Sequence, residues 1–158
     1  MYPSGWPDVV HIDDLELRYS SDVPSILRSL NGATTADSTS GWLSVVAYAL
    51  DEDSQENLVQ AVDQRRISGL ALMVLAHKMC ERALGVDLNA ASALAGSVLG
   101  SWFLLASWAA GKGMRIIDMK VHELLAICYS AQCEQCKEPS DLARLNRKIF
   151  RTSHPWGR

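Results

Sequence analysis

Several things are scarce in this chain of 158 residues. Cysteine is the first. There are four, and three of them crowd at Cys128, Cys133 and Cys136, which is not the even framework of a small secreted disulfide scaffold; reduced thiols are the simpler expectation. Catalytic signatures are also missing. No G-x-S-x-G, H-E-x-x-H, Walker loop or G-x-G-x-x-G occurs, and His11, His77, His122 and His154 lie far apart in the chain. The opening MYPSGWPDVV lacks a basic region followed by an apolar run, so no secretory leader is expected. Charge is absent from one long stretch, Ala90 to Ala110, AASALAGSVLGSWFLLASWAA.

That stretch is the one the rest is expected to organise around. Thirteen of its 21 residues are Ala, Ser or Gly. Leu94, Val98, Trp102 and Leu105 make one stripe at helical spacing, with Leu99 and Phe103 in a second beside it. Ser92, Gly96 and Gly100 form a groove of small residues, in which Gly100→Leu is expected to overpack. A helix that is apolar all round is either a core helix or a membrane span. At about 31 Å it is long enough to span a bilayer, and Gly96-x-x-x-Gly100 suits close helix packing in lipid. Spanning helices are dominated by Leu, Ile, Val and Phe, whereas small residues dominate here, which favours a core helix and no membrane.

The size predicts one domain, and the patterning a mainly α fold with a small β-hairpin at the N-terminus. Residues 1–8, with Pro3 and Pro7, read as an irregular arm. Residues 9–19 alternate, with Val10, Ile12, Leu15 and Leu17 apolar and Asp13-Asp14 at the turn. Helices are expected after Asp22-Val23-Pro24, over Gly41–Leu50, over Glu56–Arg66 with Leu58, Val59 and Val62 on one face, and over Leu70–Leu84 before Gly85. Residues 33–40 read as a polar loop. A further helix, Asp118–Cys136, carries Val121, Leu124, Leu125 and Cys128 on one stripe. A basic helix and tail, 141–158, turns Leu142, Leu145 and Ile149 inward and Arg144, Arg147, Lys148 and Arg151 outward.

Cys128-x4-Cys133-x2-Cys136 echoes part of an iron–sulfur loop, and zinc with His122 or Cys80 is the other metal option. Cys128 and Cys133 sit on a helix, where roughly 140° separates them, so no metal and no other cofactor is expected. The basic end with Trp156 is a weak nucleic-acid signal, set against an acidic chain; no nucleic-acid partner is expected.

Net charge is −3, but residues 1–63 hold eleven acids and two bases while residues 64–158 hold thirteen bases and seven acids. The halves are complementary. Adjacent copies would set Arg144, Arg147 and Arg151 of one against Asp13, Asp14 and Glu16 of the next, which makes open chains or rings. Trp156, in a terminal arm, suits docking on a neighbour.

The order of segments resembles the small tail-assembly chaperones of tailed phages infecting actinobacteria. A hairpin leads into DVPSILRSLNG, followed by ERALGVDLNAASALA, SWFLLASWAAGKGM, VHELLAICYSA and DLARLNRKIFRTSHP. The loop after the Trp segment, Gly113-Met-Arg-Ile, departs from that family's Gly-x-Asp-Pro. The resemblance implies a non-catalytic protein of the host cytoplasm that coats a long helical tape-measure protein in many copies. A phage head or tail structural protein, a membrane protein spanning with residues 90–110 and a small Cys-ligated metal protein are the other readings.

Overall fold

A computed structural model describes residues 8–150. Its elements, in chain order, are β1 (Val9–Ile12), β2 (Leu15–Arg18), α1 (Val23–Gly32), α2 (Thr39–Tyr48), α3 (Glu52–Asp63), α4 (Gly69–Leu84), α5 (Leu88–Gly100), α6 (Trp102–Gly111), α7 (Val121–Glu134) and α8 (Pro139–Phe150), with 3-10 turns at Ala33–Thr35 and Ile116–Asp118. The chain is mainly helical with one small antiparallel hairpin.

Local chemistry sets the boundaries. Asp13 takes a left-handed φ of 53° in the turn between β1 and β2, a conformation Asp tolerates. The strands pair Val10 with Leu17 and Ile12 with Leu15, so their apolar residues share one face. Ser38, Asp51, Ser68 and Asp87 are N-caps, each accepting a bond from the backbone N–H three residues on. Gly85 closes α4 with φ 73°, where a Cβ would be strained. The supposed polar loop 33–40 is shorter than expected. Ala33 is buried, and α2 already begins at Thr39.

The apolar run 90–110 does not form one helix. It breaks at Ser101, where φ −131° and ψ 32° leave the helical region. Gly100-Ser101 is a weak point, because Gly costs helix stability and a Gly/Ser pair is a common kink site. The two halves differ in burial. α5 buries Leu88, Ala90, Ala91, Ser92, Leu94, Ala95 and Val98, whereas α6 buries Leu105 and Ala109. The organising element is therefore α5, the half richest in small residues. It packs most extensively on α1, and also on α7, α4 and α8.

The small-residue groove also differs from the expectation. Ser92 donates to the Asn31 carbonyl of α1 at 3.2 Å, and a Cβ on Gly96 would stand 2.6 Å from Asn31 Oδ1. Around Gly100 there is nothing within 4 Å, so overpacking by Gly100→Leu does not follow.

Two apolar clusters form. The larger gathers α1, α5 and α7 around Leu27, Ala91, Val98 and Leu124. The smaller joins the hairpin to α2, α3 and α4 through Leu17, Val46, Leu58 and Leu72. Leu17, Leu27, Leu58, Leu72 and Leu124 have no exposed surface. Truncating any one to Ala costs about 2–5 kcal/mol. Val59 and Leu142, assigned to inward faces on sequence, are exposed. Among the described residues, no single helix is long and apolar enough to cross a membrane.

Candidate functional site

The clearest unpartnered feature is on α6, whose sequence Trp102–Gly111 contains no charge. Its inner side is fixed by Leu105, 5% exposed, and Ala109. Its outer side shows Phe103, 79% exposed, and Leu104, 69% exposed. Phe103 therefore does not form the second buried stripe expected for it. Trp102 and Trp108 are half-buried against the larger cluster rather than fully interior.

α6 is held in register by a polar clasp. Trp108 Nε1 donates to Glu134 Oε2 at 2.8 Å. Lys112 Nζ approaches the same oxygen to 3.2 Å and lies 5.0 Å from the Trp108 ring centre. The Trp108 hydrogen bond, followed by the one from Lys112, holds the Glu134 carboxyl below its ordinary range. The clasp joins α6 to α7 while leaving Phe103 and Leu104 open.

The charged residues expected to join neighbouring copies lie on separate parts of the fold. Asp13 and Asp14 are exposed at the hairpin turn. Glu16 approaches His11 to 3.5 Å and Arg18 to 3.7 Å within the hairpin. Arg144 pairs with Asp141 of its own helix at 3.7 Å, and Arg147 is exposed. The hairpin packs on α3, whereas α8 packs on α5 and α7, so the chain does not bring the two sets together. Arg151 and Trp156 lie outside the described residues, as does the arm 1–7.

The cysteines are dispersed. Cys128 is buried and its thiol faces the Leu94 carbonyl, while Cys136 donates to the Gln132 carbonyl. Among the described residues, no three His, Cys, Asp or Glu side chains group as a metal site would need. Cys80 is 1% exposed; burial first, then the nearby Asp87 and Glu81, pushes its thiol up to about 12. Burial likewise holds the Tyr19 hydroxyl far above the usual phenol range, with Cys80 adding to it. Such a thiol stays protonated at neutral pH and is a poor nucleophile.

Sequence patterning missed a second open surface, a groove of about 830 Å³ between β1 and α4. The residues that build it come from segments about 60 positions apart, so no local spacing announces it.

The described residues thus form a mainly helical fold with an N-terminal hairpin and open apolar surfaces on α6 and beside β1. No protein-family model, curated protein or solved structure matches it.

Proposed function

We propose that this protein works by binding another protein and is not an enzyme. The observation that carries this reading is the outer face of α6, where Phe103 and Leu104 stand exposed on a helix without charge. Large apolar side chains side by side in water on a helix without charge support a contact surface. A partner helix with an apolar stripe of its own is the natural complement, since two helices bury such stripes by ridge-into-groove packing.

The specific form is the one implied by the resemblance given above: a tail-assembly chaperone of the host cytoplasm, acting in many copies along a helical tape-measure protein. An apolar contact of modest size, repeated along a rod, gives a coat that later subunits displace. The acidic hairpin and basic α8, which pack on different elements, support head-to-tail contact between copies as the way the coat extends.

Co-expression with a tape-measure protein from an actinobacterial tailed phage tests this. The partner should move into the soluble fraction with the wild-type chain. It should not with the variant carrying Phe103→Glu and Leu104→Glu, whose melting temperature should be unchanged. Equal solubilisation by the variant, or none by either, overturns the reading.

A further inference from the structure

The groove between β1 and α4 has features that α6 lacks. Hydrogen bonding in the hairpin is fixed by the Tyr19 N–H to Asp8 carbonyl bond of 2.9 Å. Bonded and non-bonded pairs alternate along an antiparallel ladder. Asp8, Val10 and Ile12 therefore turn their backbone groups toward β2, and Val9 and His11 turn theirs away from it. The far edge of β2 is covered at Arg18, whose N–H donates to Ser54 Oγ at 2.8 Å and whose carbonyl accepts from Asp51 N–H at 3.0 Å. The edge of β1 is not covered by any described residue. Among the described residues, nothing outside the hairpin bonds to Val9, Val10, His11 or Ile12.

That bare edge forms one wall of the groove, and α4 forms the other with Leu70, Val74 and Met79. Leu70 is 67% exposed. Edge strands are commonly blunted by Lys, Pro or a bulge. β1, with the sequence VVHI, has no Lys and no Pro. Lys78 lies exposed on the same face of α4, and no ion pair engages it within the described residues. Arg82 lines the groove as well, and Asp13 stands at its hairpin end.

We propose that this groove is a second binding site, independent of α6, that takes an extended acidic segment of another protein as a third strand on β1. The backbone groups of Val9 and His11 pair with the incoming strand. Its alternate side chains enter the apolar wall of α4, and a carboxylate meets Lys78. Strand addition of this kind draws affinity from main-chain bonds and selectivity from the pockets beneath alternate side chains. A helical partner leaves the edge unpaired. A second copy pairing β1 on β1 brings the strand VVHI, which has no carboxylate within it to meet Lys78.

The probe is a fluorescein-labelled peptide of eight residues alternating valine and threonine, with one central glutamate, followed by fluorescence anisotropy on the full chain. Saturable binding is expected. His11→Pro should weaken it about tenfold, because it removes an outward N–H while sparing the β1–β2 ladder. Lys78→Glu should weaken it about three- to fivefold. The Phe103→Glu, Leu104→Glu variant should bind as wild type, which separates this site from α6. If His11→Pro does not fold by circular dichroism, Leu70→Glu with Val74→Glu, at exposed positions, replaces it with the same expected loss. The proposal is overturned by no saturable binding or by undiminished binding in these groove variants. It is also overturned by a wild-type dimer that His11→Pro dissociates, which makes a second copy the occupant. Binding that emerges only on deleting residues 1–7 makes the chain's own arm the occupant and overturns it too.

Discussion

Trp108 and Glu134, 26 positions apart, meet at 2.8 Å through the indole N–H and a carboxylate oxygen, and this bond ties α6 to α7. It is a surface bond, reinforced by Lys112. Its consequence is positional, since α6 carries Phe103 and Leu104 and buries little of itself.

The bond has a pH signature. A carboxyl with a depressed folded-state pKa favours the fold above its unfolded value of 4.5, and that contribution is lost as pH falls through the folded value. NMR titration should find Glu134 below the ordinary carboxylate range, and Trp108→Phe should raise it toward that range. The Trp108 indole N–H resonance should shift along the same curve. A Glu134 titration insensitive to Trp108→Phe contradicts the clasp.

Two glycines should respond oppositely to the same substitution. A Cβ on Gly69 would lie 2.5 Å from Thr39 Oγ1 and 2.9 Å from Thr39 Cα, so the starts of α4 and α2 must separate. Gly69→Ala should cost about 1–3 kcal/mol. Gly100→Ala meets nothing and removes a poor helix former, so it should be neutral or stabilise by up to about 1 kcal/mol. Urea unfolding of both variants decides this, and equal losses would contradict the packing.

Cys80 predicts an alkaline weakness. Its thiol ionises near 9 when unfolded but near 12 when buried. A raised folded-state value means the contribution is complete below pH 9 and declines as pH rises from 9 toward 12. Stability of the wild type should fall over that interval more steeply than that of Cys80→Ala. In the native state, a thiol reagent should modify Cys133 and Cys136 before Cys80, because those two are only partly buried. Parallel stability curves, or early modification of Cys80, would count against this burial.

Charge reversal tests the arrangement of copies. If Asp13, Asp14 and Glu16 of one copy meet Arg144, Arg147 and Arg151 of the next, light scattering should show assemblies that shrink with added salt. Each exposed pair contributes about 0–1 kcal/mol, and salt screens it. Reversing Arg147 and Arg151 to Glu should abolish the assemblies. A monomer at every salt and concentration rules the arrangement out.

Much of the architecture was legible because it is written locally. Asp51, Ser68 and Asp87 are capping residues at helix starts, and Gly85 follows a helix end. Val10, Ile12, Leu15 and Leu17 alternate as a half-buried hairpin must. The break at Ser101 was missed because hydrophobicity continues across it; the Gly100-Ser101 pair was the available signal. The exposure of Phe103 and Leu104 was not legible. An apolar helix announces that it needs partners without saying how many the rest of the chain supplies. The groove beside β1 was invisible for another reason: it exists only once the hairpin is laid near α4.

The division of the interior into two clusters has a dynamic consequence. α2 and α4 cross from one to the other, with Val46 and Leu72 in the smaller and Val45 and Cys80 in the larger. β1, β2 and α3 contribute to the smaller cluster alone. Amide hydrogens there should exchange through sub-global openings that leave α1, α5 and α7 protected. The hairpin end is then a separate cooperative unit, able to loosen and re-form around an incoming strand while the larger cluster keeps α6 presented to its own partner.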